Sequence, residues 1–455
     1  MSRSAFSLIA SIALGNALVP LNSTMLVVAL PFIARDAGTD LAAASWLITT
    51  YLIAMAALQP IGGRIGDRYG RRRLMIGALL YFGLASIGAS LAQGLVPIAF
   101  FRLQQAVAGA LIVPNGLGIL RRAAGDRAGM HFGLIGAISG TAASVGPLLG
   151  GVLVAIDWRL VFLVNVPVVA LAIIFALANV RDDAPRTEAP FDIAGVLALG
   201  AILAGAAWVL TSAAKGVDPL LVAGALLVVA AATAFVRYES GLADPALPPM
   251  LFRIREFAAA NIAISASNMS LYATLLAIPA LLATDPATAV LIGVALFALS
   301  AAMAVLGPFV GMVIDRFGAR WPPALGGLLI AGGSLATGAI VGSKDFALLL
   351  VSLLVTGAGV SFTFPATRVA AVDAVPQRYG ALASGVVSTS RYFGGMIGAI
   401  VAGAALTTLP AATRSATLFA ILAAGGVVTS LASLGMPGRQ SSGRTVPRSP
   451  STSIS

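Results

Sequence analysis

Three arginines stand inside long apolar runs of this 455-residue chain: Arg102, Arg368 and Arg391. A charge at the centre of a hydrocarbon layer costs at least about 2.5 to 3.5 kcal/mol on insertion scales. Each arginine is therefore expected to face a polar cavity or a partner, with snorkelling to the nearest interface as the plainer alternative. Snorkelling suits Arg368, near the end of its run; it suits Arg391 less, and Arg102 reads as cavity-facing. Gln105 follows Arg102 at one helical turn, and Asn22 and Asn115 are polar groups in equally apolar surroundings. Such side chains can hold a small molecule by charge and hydrogen bonds, or pin one helix to another. Catalysis has no comparable set. With no cysteine and only His131, thiol chemistry and a histidine metal centre are excluded. No cofactor is expected, and no phosphate-binding Gly-rich motif followed by Lys occurs.

The elements that must carry these residues are membrane spans. The chain is 59% apolar and 10% charged, with mean hydropathy +0.98, whereas an ordinary globular domain is about 25% charged. Apolar stretches of about 20 residues, enough to cross a bilayer as helix, succeed one another from near residue 6 to near residue 434. Runs such as Leu220 to Ala230 do not alternate as barrel strands would. The expectation is an all-α polytopic membrane protein with fourteen transmembrane helices. Six fall in residues 1–180, two are inserted with a linker in 181–256, six fall in 257–436, and 437–455 reads as a disordered tail. The first run is longer than a signal-peptide core and reads as a retained helix.

Charge tests that topology. With the N-terminus inside, Arg35, Arg159, Lys215, Lys344 and Arg414 fall outside. Arg102, Arg368 and Arg391 lie within spans, and the rest of the 28 basic residues fall inside. This is the positive-inside pattern, and it places the protein in the plasma (inner) membrane with both termini cytoplasmic. It also accounts for the net charge of +11 without nucleic acid as a partner. The expected partners are the lipid bilayer and a small-molecule substrate. Trp46, Trp158, Trp208 and Trp321 fall near span ends, where they would act as interfacial anchors.

Between the second and third runs lies Gly63-Arg64-Ile65-Gly66-Asp67-Arg68-Tyr69-Gly70-Arg71-Arg72, and a degenerate copy recurs from Gly311 through Asp315 and Arg316 to Arg320. The chain is thus read as duplicated. Orientation alone explains the arginines but not Asp67 or the glycines. Charge-assisted bonds from Asp67 to Arg68 and Arg71 would make a latch across neighbouring helix ends. Gly146-Pro147-Leu148-Leu149-Gly150 places small residues at a spacing of four, for close helix packing. Pro147 removes a backbone donor within the same helix.

These motifs resemble the fourteen-helix drug:proton antiporter branch of the major facilitator superfamily along most of the chain. Gly63 to Arg72 resembles the loop signature. Trp46 to Tyr51 is similar to the second-helix pattern, and Arg102 to Gln105 with Gly109 to the fourth-helix motif, although Ala106 replaces the usual Gly. Gly146 to Gly151 resembles the fifth-helix exporter motif, Asn165 to Pro167 the branch's next segment, and Gly380 to Gly395 the eleventh core helix. The resemblance implies two six-helix halves plus two inserted helices, export of a small molecule or drug, and protons as a candidate coupling partner. It implies gating roles for Gly63, Asp67, Arg68, Gly70, Arg71, Asp315, Arg316, Gly146, Pro147 and Gly150. Asn22, Arg102, Gln105, Asn115 and Arg391 are the cavity and coupling candidates.

One position departs from the pattern. Leu21 to Pro31 resembles the branch's first-helix motif, with Asn22 where that motif carries Asp. No Asp or Glu falls in mid-span anywhere in the chain. Asn cannot titrate, so inherited proton coupling at that position is not expected, and a cavity bearing arginines should favour neutral or anionic substrates over cations. A facilitated-diffusion metabolite transporter without proton coupling is the main alternative. A non-transporting receptor is the other, though it would be expected to carry a folded signalling domain.

Overall fold

The computed structural model describes residues 3–124, 128–179, 192–213, 216–242, 245, 247–283, 288–343, 345–376 and 379–438. The expected linker and tail lie largely outside these residues. The described residues form fifteen α-helices and no strand. They are α1 Arg3–Asp36, α2 Leu41–Tyr69, α3 Arg71–Leu91, α4 Leu95–Ala124, α5 Ala128–Ile156, α6 Leu160–Leu163, α7 Asn165–Asn179, α8 Ile193–Ala213, α9 Pro219–Ser240, α10 Arg255–Leu282, α11 Thr288–Phe317, α12 Trp321–Ile340, α13 Phe346–Asp373, α14 Gly380–Thr408 and α15 Arg414–Ser433. Short α6 continues into α7 and shares its span, Leu160–Ala178.

Thirteen spans among the described residues are long and apolar enough to cross a membrane. The remaining expected span is α14, whose 29 residues are ample in length. Arg391, three serines and several glycines lower its hydropathy, and the packing gives the reason: α14 is an interior helix, wedged between α2, α10 and α13. It has little lipid to face.

Aspartates start several helices. Asp40, Asp218 and Asp345 accept hydrogen bonds from the N–H groups of Ala43, Leu221 and Leu348 at 2.7, 2.7 and 3.0 Å, and Asp192 accepts from Gly195 at 2.8 Å. Each satisfies a donor that the first helical turn leaves orphaned. Every described carboxylate lies at a helix end or in a connection.

Helix packing repeats along the chain. α1 packs on α5, α2 on α4, α3 on α4 and α1 on α7; in the same order, α10 packs on α14, α11 on α13, α12 on α13 and α10 on α15. Two seams join the six-helix sets, α5 against α11 and α2 against α14. The inserted pair, α8 and α9, packs on itself and through α8 on the α2–α14 seam. The end carrying Gly63 to Arg73 is the arginine-rich end, and its opposite the arginine-poor end.

One apolar cluster runs through both sets. It takes Met25 to Ala34 from α1, Leu271 to Ile278 from α10 and Ala289 to Leu299 from α11, all toward the arginine-poor end. Toward the arginine-rich end the core divides. Ile12, Met75, Leu79 and Ile112 belong to one cluster, and Phe257, Ile264, Ala370 and Val387 to another. The bundle is closed at its arginine-poor end, and its halves have separate cores at the other.

Trp158 departs from expectation. It is 8% exposed, with its ring edge-on to Phe162 at 6.3 Å, so it fills the core rather than an interface. Trp208 and Trp321 are exposed.

Candidate transport site

Arg102 is a large, fully buried side chain, only 1% exposed. Its Nη1 donates to Gln105 Oε1 at 2.8 Å, the same-face contact that a spacing of three gives on α4. Gln105 is buried too, and its two ends face different helices. Oε1 also accepts from Asn22 Nδ2 of α1 at 3.2 Å, while Nε2 donates to Ser86 Oγ of α3 at 2.8 Å. Asn22 Oδ1 in turn accepts from Asn165 Nδ2 of α7 at 3.1 Å. One amide relay thus ties four helices together, and Asn22 sits in it as donor on one side and acceptor on the other. A carboxylate at position 22 could not donate to Gln105.

The charge of Arg102 meets a π face instead of an acid. Its Cζ lies 4.3 Å from the centroid of Tyr51 on α2, an attraction worth about 2 kcal/mol or more when water is excluded. On the other side of the seam, Arg391 of α14 lies 4.6 Å from the Tyr392 ring and 5.3 Å from that of Phe364. Tyr272 of α10 interacts electrostatically with both arginines, and its ring rests against Gly395, where a Cβ would come within 2.8 Å. Asn22, Tyr51, Tyr272 and Arg391 all lie within about 6 Å of their helix midpoints, at 1.5 Å per residue. Among the described residues neither Arg102 nor Arg391 forms a salt bridge, and the Nε of each is buried without a hydrogen-bond partner.

Arg368 is exposed and donates through Nε and Nη2 to Ser384 Oγ at 2.9 and 2.6 Å. It does not turn away to an interface, because its two bonds to Ser384 direct it toward α14. Asn115 is fully buried and donates to the Gly62 and Leu111 carbonyls at 2.9 and 2.7 Å. It ties α4 to α2 and stands apart from the arginines.

At the arginine-rich end, Arg71 binds Asp67 through both nitrogens of its fork, Nε to Oδ1 at 2.9 Å and Nη2 to Oδ2 at 2.8 Å. Its Nη1 reaches the Pro114 carbonyl of α4 at 3.2 Å. These bonds tie the adjoining ends of α2 and α3 to α4. Arg68 stacks by Tyr69 at 5.6 Å. Gly70 turns the chain between α2 and α3 at φ 95°, and Gly318 makes the matching turn at φ 82°, conformations that L side chains rarely adopt. The second copy has Ala319 at the place of Arg71. Asp315 and Arg316 are both exposed and form no ion pair among the described residues.

The packing of α5 on α1, and on α11 across the seam, depends on small residues. A Cβ on Gly146 would overlap Thr24 Oγ1, and one on Gly150 would press on Met25 at 3.0 Å. A Cβ on Gly293 would come within 2.7 Å of the Pro147 carbonyl. Ser144 Oγ donates across the seam to the Ser300 carbonyl at 2.6 Å. The α2–α14 seam is held by Thr389 Oγ1 donating to the Ala56 carbonyl at 2.9 Å. At the arginine-poor end, Arg35 donates to the Ala283 carbonyl at 3.3 Å, and Arg159 meets Asp36 at 3.4 Å.

Sequence reading picks out Asn22, Arg102, Gln105 and Arg391 individually. It gives no role to Ser86, Asn165, Tyr51 or Tyr392, which connect them. The first two carry a usable signal, a polar side chain inside an apolar helix. The two tyrosines carry none beyond belonging to local motifs.

A multi-pass helical bundle with a buried polar centre between two similarly packed halves defines a transporter architecture. The model of the Major Facilitator Superfamily matches residues 12–238 and 260–452, and the chain belongs to that superfamily. It is 31% identical over 440 residues to the uncharacterized MFS-type transporter YvkA of Bacillus subtilis, covering 96% of this chain and 97% of that protein. It is 29% identical to the tetracenomycin C resistance and export protein of Streptomyces glaucescens (86% and 74% covered). It is 31% identical to the puromycin resistance protein pur8 of Streptomyces alboniger (84% and 78%). Among solved structures, its fold is similar to that of nucleoside transporter NupG, with TM-score 0.66 and 13% identity over 95% of this chain and 99% of that one. It is also similar to a POT family transporter in complex with 5-aminolevulinic acid, with TM-score 0.69 and 16% identity over 95% of each chain.

Proposed function

We propose that the chain exports small molecules by alternating access, its two halves rocking about the α2–α14 and α5–α11 seams around a site near the helix midpoints. The observation that carries this reading is the buried polar centre between the halves, beneath a bundle closed at one end. Export is also what the names of the tetracenomycin C and puromycin relatives suggest. By the positive-inside rule the arginine-rich end is cytoplasmic, with both termini, in the plasma membrane. In that orientation the closed end faces outward and loading is from the cytoplasm.

The gating residues divide by role. Asp67 and Arg71, with the turn at Gly63, Arg68 and Gly70, make α2, α3 and α4 move as one piece. Gly146, Pro147 and Gly150 allow α5 to slide on α1 and α11. Asp315 and Arg316, lacking an Arg71 counterpart, leave the second half without that clamp.

A second reading, facilitated diffusion without proton coupling, is favoured by Asn22 in the amide relay and by carboxylates confined to helix ends. Purified protein in liposomes separates the two, with puromycin and tetracenomycin C as the first compounds. Uphill movement driven by a pH gradient supports proton-coupled export, with Asp67 and Asp373 as the acids to examine. Equilibration without accumulation supports facilitated diffusion, and no movement of any compound overturns both.

A further inference from the structure

We propose that Arg102 and Arg391, with Tyr51, Tyr272 and Tyr392, form the binding centre for an anionic group, and that the preferred substrates are aromatic carboxylates. This rests on the transporter reading and adds the substrate class.

The charge of Arg102 is unbalanced among the described residues. Arg102 is 1% exposed, and its polar contacts are a neutral amide and a ring face. Its Nε is buried and unpartnered. A buried cation in that state is normally neutralised by an acid, since an unpaired one carries a heavy desolvation cost. Here the described carboxylates stand at helix ends, four of them occupied as N-caps. The second cation, Arg391, is half-buried, also with an unpartnered Nε. Each of these two guanidiniums has a buried Nε–H without an acceptor, and a carboxylate can take such a donor together with a neighbouring Nη in two parallel bonds.

The surroundings select the rest of the ligand. Tyr51 packs against Arg102 and Tyr392 against Arg391, Tyr272 interacts electrostatically with both, and Phe364 lies by a second face of Arg391. Tyr272 is half-buried. Such rings offer stacking and edge contacts to an aromatic body. Arg368, exposed on α13 closer to the arginine-rich end, supplies a first cation on the way in. A cationic substrate meets repulsion at each step, and no acid at the end.

The test uses full-length protein in detergent and three probes of one shape: 1-naphthoate, neutral 1-naphthol and 1-naphthylmethylammonium, titrated by calorimetry against empty micelles. The expected result is saturable binding of the naphthoate, at least tenfold tighter than the ammonium. Arg391→Gln should weaken naphthoate binding tenfold or more and leave 1-naphthol little changed, with Arg391→Lys between the two. If Arg391→Gln does not elute as a folded monodisperse peak, Arg391→Lys and Arg102→Lys decide, since a fork lost with charge kept should still weaken naphthoate. Equal or tighter binding of the ammonium, or naphthoate affinity unchanged in the folded arginine variants, overturns the proposal. Movement of the naphthylammonium but not the naphthoate in liposomes would overturn it while leaving export standing. Naphthoate binding with no transport of any compound would instead overturn the transporter reading.

Discussion

Arg102 lies 4.3 Å over the ring of Tyr51 and forms no salt bridge among the described residues. A fully buried guanidinium in the first half of the bundle is thus held by a tyrosine of a neighbouring helix and by Gln105. The arrangement keeps a positive charge inside the bundle without neutralising it, and both stability and the proposed selectivity depend on it.

The ring contact is testable by stability. Tyr51→Leu removes the π face and should cost about 2 kcal/mol, read as a lower melting temperature in detergent. Tyr51→Phe keeps the face and should cost clearly less than Tyr51→Leu. Equal losses in both variants would assign the effect to the hydroxyl.

Asn22→Asp rewires the relay. An acceptor oxygen of the new carboxylate would face Gln105 Oε1, so Gln105 must turn its amide and Arg102 must lose its acceptor. The carboxylate then neutralises Arg102. Anionic probes should bind several-fold more weakly and cationic dyes should gain efflux in a pH-gradient assay; an unchanged dye profile would contradict this.

The two copies of the loop should respond differently. Asp67→Asn and Arg71→Gln both break the forked pair, which is partly exposed and worth about 1 kcal/mol or less in stability. Transport should fall more steeply than stability in both, and the double variant should be no worse than either single one. Asp315→Asn has no ion pair to break among the described residues, and its transport rate should stay within about twofold of the parent.

Much of this was legible in the chain. The charge asymmetry and apolar runs specified a helical membrane bundle, and the duplicated loop specified its halves. The missing mid-span acid was visible at Asn22. Other features depended on tertiary placement. Gln105 bridges α1 and α3 only because those helices meet α4 there, and Trp158 is buried where its ring packs edge-on to Phe162. The composition of α14 understates its role as a span, since an interior helix does not need lipid-facing apolar residues. Even the clamp's asymmetry was written in one letter, Ala319 for Arg71, but its meaning needed the geometry of Asp67.

Alternating access can be tested by locking the closed end. The chain has no cysteine, and a Cβ on Gly403 of α14 would lie 3.6 Å from the Ala42 Cα of α2, within reach of a disulfide. Ala42→Cys with Gly403→Cys should cross-link under mild oxidation, stop transport in liposomes, and recover it on reduction. Full cross-linking with transport undiminished would contradict a cycle that opens this end.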